Sequence, residues 1–142
     1  MMKAYEIPVS APVLKMLRRD FGYSRHINIS RWVFTKAMGN PQEWNRYLND
    51  PKPSMVPITV VCRYASPGRL YTTARLMEYT FQRKMELYVE ASVDLGGPAQ
   101  EAINKFMDKY DLSEDDLSME TAYKRWQRYK AKEQERNLIP LW

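Results

Sequence analysis

Cysteine occurs once, at Cys62, and histidine once, at His26; these two scarcities narrow the chemistry more than any other feature of the chain. One thiol cannot build an internal disulfide framework, so the fold must rest on its core alone. Cys62 sits in the apolar run VPITVVCRY and reads as a small buried hydrophobe. A lone histidine without a close partner in sequence supplies neither a zinc spacing nor a catalytic triad. The five glycines form no phosphate-cradling loop and no nucleophile elbow. The acidic run Glu114-Asp115-Asp116 lacks the alternating ligands and central glycine of a calcium loop, and fits the start of a helix instead. We therefore expect no cofactor, no metal and no catalytic residue, with a hydrolase or nuclease as a distant third reading. No stretch approaches the roughly 20 apolar residues of a membrane span, and the first residues lack the charged and apolar segments of a signal peptide. A cytoplasmic protein that avoids membranes is the expectation.

What is present is aromatic and basic. Tryptophan, tyrosine and phenylalanine make up 13% of the 142 residues, and the net charge is +5. That charge is segregated. Lys3, Lys15, Arg18, Arg19, Arg25, Arg31 and Lys36 face only Glu6 and Asp20 in the first 36 residues. Between Glu101 and Leu117 the balance turns acidic, and it becomes basic again beyond. Such segregation supports a one-sided cationic surface.

The pattern predicts a single α+β domain: an N-terminal α+β part over about residues 1–65 and a helical part over about 66–142. A small sheet of two or three short strands should pack against helices. Lys3 to Val9 alternates weakly, and Pro8 confines it to a sheet edge or strand end. Ser10 is placed as N-cap of a helix with Pro12 in its first turn, Val13, Leu14, Leu17 and Phe21 as its buried stripe, and Gly22 as its stop. Ile27 and Ile29 suggest a short strand. Ser30 would cap a helix over Arg31 to Met38, ended by Gly39-Asn40-Pro41, with a short helical piece over Glu43 to Leu48. Ile58 to Tyr64 is the strongest strand by β-branched content. Leu70 to Leu95 keeps a helical apolar spacing, a stripe that would serve a homodimer or an internal core equally well. Ala99 to Tyr110 is the next helix, burying Ile103, Phe106, Met107 and Tyr110. Ser113 and Asp116 stand in capping-box spacing. The apolar tail NLIPLW would pack back on the chain or dock on a partner.

The last helix, Ser118 to Arg136, carries the functional signal. At about 100° per residue, Met119, Ala122, Tyr123, Trp126 and Tyr129 share one side, and Lys124, Arg125, Arg128 and Lys132 the other. The rings can anchor the helix while the cations face a polyanion. Together with the preceding helix it has a helix-turn-helix outline, with one objection. If the second helix began at Ser113, three carboxylates would occupy the end that should approach phosphates. DNA contact therefore requires Asp111 to Leu117 to be a connector and the helix to begin at Ser118. Arg18, Arg19, Arg25 and Arg31 would extend the footprint. A β-ribbon reader built on ITVVCRY ranks lower, because that strand is too apolar for a groove. DNA is the favoured partner. The alternative is a protein–protein adaptor using aromatics such as Trp32, Trp44, Trp126 and Trp142.

The order IPVSAPVLKMLRRDFG, INIS, ITVVCRY and KFMDKYDLSEDDLSMETAYKRWQRYK resembles a group of small phage and mobile-element proteins of anaerobic gut bacteria. The likeness covers most of the chain and is most specific in the tail. It implies a bacterial host cytoplasm or a virion as the setting and a DNA-binding tail in regulation or genome maintenance. In the adaptor alternative the chain would be a virion component or an inhibitor of a host factor. It transfers no activity and no functional residues.

Overall fold

The computed structural model describes residues 1–32 and 36–138. Its elements are β1 (Lys3–Ser10), α1 (Ala11–Phe21), β2 (Ile27–Asn28), α2 (Pro41–Asn49), β3 (Met55–Cys62), α3 (Pro67–Asp94), α4 (Ala99–Lys109) and α5 (Met119–Leu138). The fold is α+β, with a three-stranded sheet and a helical C-terminal half. No helix among the described residues is long and apolar enough to cross a membrane. The chain divides into two compact units, Met1–Phe81 and Gln82–Trp142, with the division falling within α3.

In the first unit the sheet order is β1-β3-β2, antiparallel between β1 and β3 and parallel between β3 and β2. Pro8 lies opposite Pro57 in the β1–β3 register. Neither has an N–H, so the pair must occupy a position where backbone groups point away from each other. Pro57 is tolerated in the central strand because β2 pairs only with Val60 and Val61 and stops short of it. The outward groups of the same phase find side chains instead. Tyr47 donates its hydroxyl to the Pro8 carbonyl at 2.8 Å, and the Ser10 N–H donates to Glu78 Oε1 at 2.8 Å. Ile7, Val9, Ile58, Val60 and Cys62 are buried beside Val13, Met16 and Leu17 of α1. Cys62 is the buried free thiol expected.

Four details of this unit correct the sequence expectations. The Ser10 hydroxyl does not cap α1 but bonds Glu78 Oε2 at 2.9 Å. Phe21 is 49% exposed, because the buried stripe is centred between Val13 and Met16 and leaves Phe21 at its edge. Arg31, Trp32 and Lys36 to Met38 are not helical; Val33 to Thr35, the middle of the expected helix, lie outside the described residues. Gly39-Asn40-Pro41 opens α2 rather than closing a helix, with the Glu43 N–H donating to Asn40 Oδ1 at 3.0 Å and Pro41 in the first turn. Among the described residues of the stretch before it, several backbone groups bond side chains of later elements. Arg69 donates to the carbonyls of Ile29 and Trp32, Thr72 Oγ1 accepts the Met38 N–H, and the Trp44 indole donates to the Met38 carbonyl. Those bonds replace the ladder a helix would have provided.

In the second unit, Met85, Val89, Ile103, Phe106, Met107, Tyr110, Leu112, Leu117, Ala122, Trp126 and Tyr129 are buried. Phe106 is flanked by Tyr88 at 5.5 Å and Tyr110 at 4.9 Å between ring centroids. Asp111 takes a positive φ of 55° to end α4, and the Leu112 N–H returns to the Met107 carbonyl at 2.8 Å.

Candidate nucleic-acid interface

The interface begins with how α5 starts. The stretch Asp111 to Leu117 is a connector, and α5 opens at Met119. Two of its carboxylates, Glu114 and Asp116, are engaged locally. Asp116 Oδ2 accepts the Ser113 N–H at 2.9 Å while Ser113 Oγ accepts the Asp116 N–H at 3.3 Å, the reciprocal pair its spacing predicts. Glu114 accepts the Met119 N–H, and Ser118 Oγ accepts the Thr121 N–H at 3.1 Å. Acidic groups thus cap the positive end of the helix dipole and precede the basic stretch. The connection from Tyr110 to Ser118 is longer than the roughly three- to four-residue turn of a helix-turn-helix.

Along α5 the two faces separate as the periodicity predicts. Ala122, Trp126 and Tyr129 are buried, and Met119 and Tyr123 are half-buried. Lys124, Arg128 and Lys132 are exposed, and Arg125 is half-buried. Arg125, Arg128 and Lys132 converge with Tyr129 on one groove of about 150 Å³, whose opposite wall is Gln82 and Glu86 of α3. Lys124 stands apart from that groove. Its Nζ pairs with Glu120 Oε1 at 2.9 Å one turn earlier, an exposed pair worth about 0.3–0.5 kcal/mol and readily exchanged for a stronger anion.

Tyr129 is held firmly in the groove wall. Its hydroxyl donates to Glu90 Oε2 at 2.6 Å, its ring lies 5.8 Å from that of Trp126, and the Arg83 guanidinium sits 5.2 Å from its centroid. The bond to Glu90 and burial both push the Tyr129 hydroxyl above its ordinary value, so it stays protonated. Burial raises the Glu86 carboxyl above the usual carboxylate range, and Arg83 and Lys132 only partly offset this. Three cations and one carboxylate line the groove, with Glu90 and Glu133 also close enough to act on Glu86.

The N-terminal arginines are all exposed. Arg18 and Arg19 lie in the last turn of α1, where they complement the negative end of its dipole, and Arg25 and Arg31 lie in the segments flanking β2. They belong to the first unit. Sequence reasoning missed the α3 contribution. Gln82, Glu86 and Glu90 repeat at four-residue intervals, a polar row along a helix otherwise read for its apolar stripe. That row was the available signal. Trp142 and the end of the apolar tail lie outside the described residues. Among the described residues, no group of three metal-ligating side chains is positioned to hold a metal ion. No protein-family model, curated protein or solved structure matches the chain.

Proposed function

We propose that the chain is a non-enzymatic DNA-binding protein that grips the phosphate backbone with the cationic face of α5. The setting implied by the likeness of its tail, a phage or other mobile element, goes with this reading. One observation carries it: Arg125, Arg128 and Lys132 open onto a single groove while Trp126 and Tyr129 of the same helix are buried. A helix anchored by its rings presents its cations without ordering them anew, which lowers the entropic cost of meeting phosphates. Guanidinium groups suit the task because their planar donors match phosphate oxygens in pairs. The capped connector supports the reading as well, since Asp116 bonds the Ser113 N–H within the connector and Glu114 the Met119 N–H at the first residue of α5.

Fluorescence anisotropy with a labelled duplex tests it. Neutralising three or four phosphates gives a slope of about −3 in log affinity against log salt. Replacing Arg125 and Arg128 together by Glu should weaken binding at least about 100-fold, since each reversal both removes and opposes an attraction. Unchanged affinity in that variant, or a slope near zero in the native chain, sinks the proposal. A stable protein complex recovered in the absence of any DNA binding would favour the adaptor reading.

A further inference from the structure

A second cavity lies in the first unit, and its chemistry differs from that of the α5 groove. It encloses about 280 Å³ between α2, the start of β3 and α3, and its floor is made of Tyr47, Tyr71 and Met55. The two tyrosine rings meet at 89° with centroids 5.2 Å apart, forming a corner. A flat ring stacked on one of them meets the other edge-on, the geometry aromatic pairs prefer. The corner is rigid on one side, because the Tyr47 hydroxyl is anchored on the Pro8 carbonyl. Burial, then the nearby Glu78, raises that hydroxyl above its ordinary value, so the ring stays neutral.

The rim carries Arg46, Lys52 and Arg75. Two acids share this lining, Asp50 and Glu43, whose Oε1 accepts from Asn40 Nδ2 at 2.8 Å in the α2 cap. A cavity at the small end of the ligand range, open to solvent, admits one base and leaves a sugar and its tail at the opening. Three cationic donors against two carboxylates favour an anionic tail with several acceptor oxygens, which a phosphomonoester offers. We infer that this cavity binds a nucleoside monophosphate, its base in the Tyr47–Tyr71 corner and its phosphate among Arg46, Lys52 and Arg75. The site stands on residues separate from those of α5 and does not require the DNA reading.

Titration calorimetry with adenosine monophosphate, adenosine and inorganic phosphate, together with amide-shift mapping, decides the matter. The monophosphate should bind saturably and shift the amides of Tyr47, Asp50 and Tyr71. Adenosine should bind about tenfold more weakly and phosphate alone not measurably. Lys52→Glu, an exposed change that leaves the core intact, should weaken the monophosphate about tenfold and adenosine hardly at all. Tyr71→Ala should weaken both about equally. The Arg125→Glu/Arg128→Glu variant should bind the monophosphate as the native chain does. Absence of saturable binding, or inorganic phosphate competing as well as the nucleotide, overturns the inference. Loss of nucleotide binding in the α5 variant overturns it too, while leaving the α5 groove as an anion site. Loss of DNA affinity in that variant with nucleotide binding retained upholds both.

Discussion

The two units solve the same problem, the backbone's demand for partners, in opposite ways. In the first, the outer edge of β1, the two-residue β2 and the loops beside them leave backbone groups that side chains from elsewhere reach. Tyr47 serves Pro8, Glu78 serves Ser10, and Arg69 donates to the carbonyls of Ile29, Trp32 and Tyr64. The Tyr23 hydroxyl accepts the Thr59 N–H, and that of Tyr5 accepts the Ala65 N–H. In the second, helices satisfy their own interiors and nearby polar residues close the ends, as in the Ser113–Asp116 and Ser118–Thr121 pairs. Across the sequence, the Tyr129 hydroxyl reaches Glu90 of α3. The first unit thus adds polar reach to its apolar core, whereas the second combines apolar packing with local capping.

That contrast predicts which substitutions hurt. Trp126→Ala removes a large buried ring from the second unit and should cost about 3–5 kcal/mol, read as a lower urea midpoint in circular dichroism. A loss under about 1 kcal/mol would mean the rings of α5 do not anchor it. In the first unit the matching experiment is polar. Arg69→Met keeps the aliphatic stem but strips the guanidinium from three carbonyls, and about 1–3 kcal/mol should be lost. Faster hydrogen exchange around Ile29 and Trp32 should accompany it. If Arg69→Met is silent while Trp126→Ala is not, the first unit is packed like the second and the contrast fails.

The same difference explains what could be read from the chain. The stripes of α4 and α5, the Ser113–Asp116 box and the stop at Gly22 are local patterns, and each appears in the structure. Gly22→Ala isolates such a local signal within the first unit. Gly22 has φ 64°, and an added Cβ would meet nothing within 4 Å, so the cost of about 1 kcal/mol is backbone strain alone. A neutral thermal shift would show that α1 ends differently in solution. Where bonds come from far away, local rules misled. Gly39-Asn40-Pro41 has the composition of a helix stop and the geometry of a helix start. Ser10 stands where a cap belongs, yet its hydroxyl serves Glu78, 68 residues on. The α5 cations were legible from their spacing, but the α3 wall that turns them into a groove required tertiary structure.

The smallest effect tests the groove itself. Burial raises the Glu86 carboxyl above its ordinary 4.5, so the folded chain holds that proton more tightly than the unfolded chain does. Its contribution therefore favours folding at low pH and is lost as pH rises from about 4.5 through the folded-state value. Glu86→Gln should remove this loss, raising the urea midpoint slightly at pH 7 and flattening the stability profile just above pH 4.5. The same change deletes the carboxylate facing Arg125, Arg128 and Lys132, and should tighten duplex binding about two- to threefold at 0.1 M salt. The two readouts separate repulsion from positioning. If Glu86 merely opposes the phosphate, stability and affinity rise together. If stability rises while affinity falls, the carboxylate was aiming the cations, and the groove's geometry rather than its charge excess governs recognition.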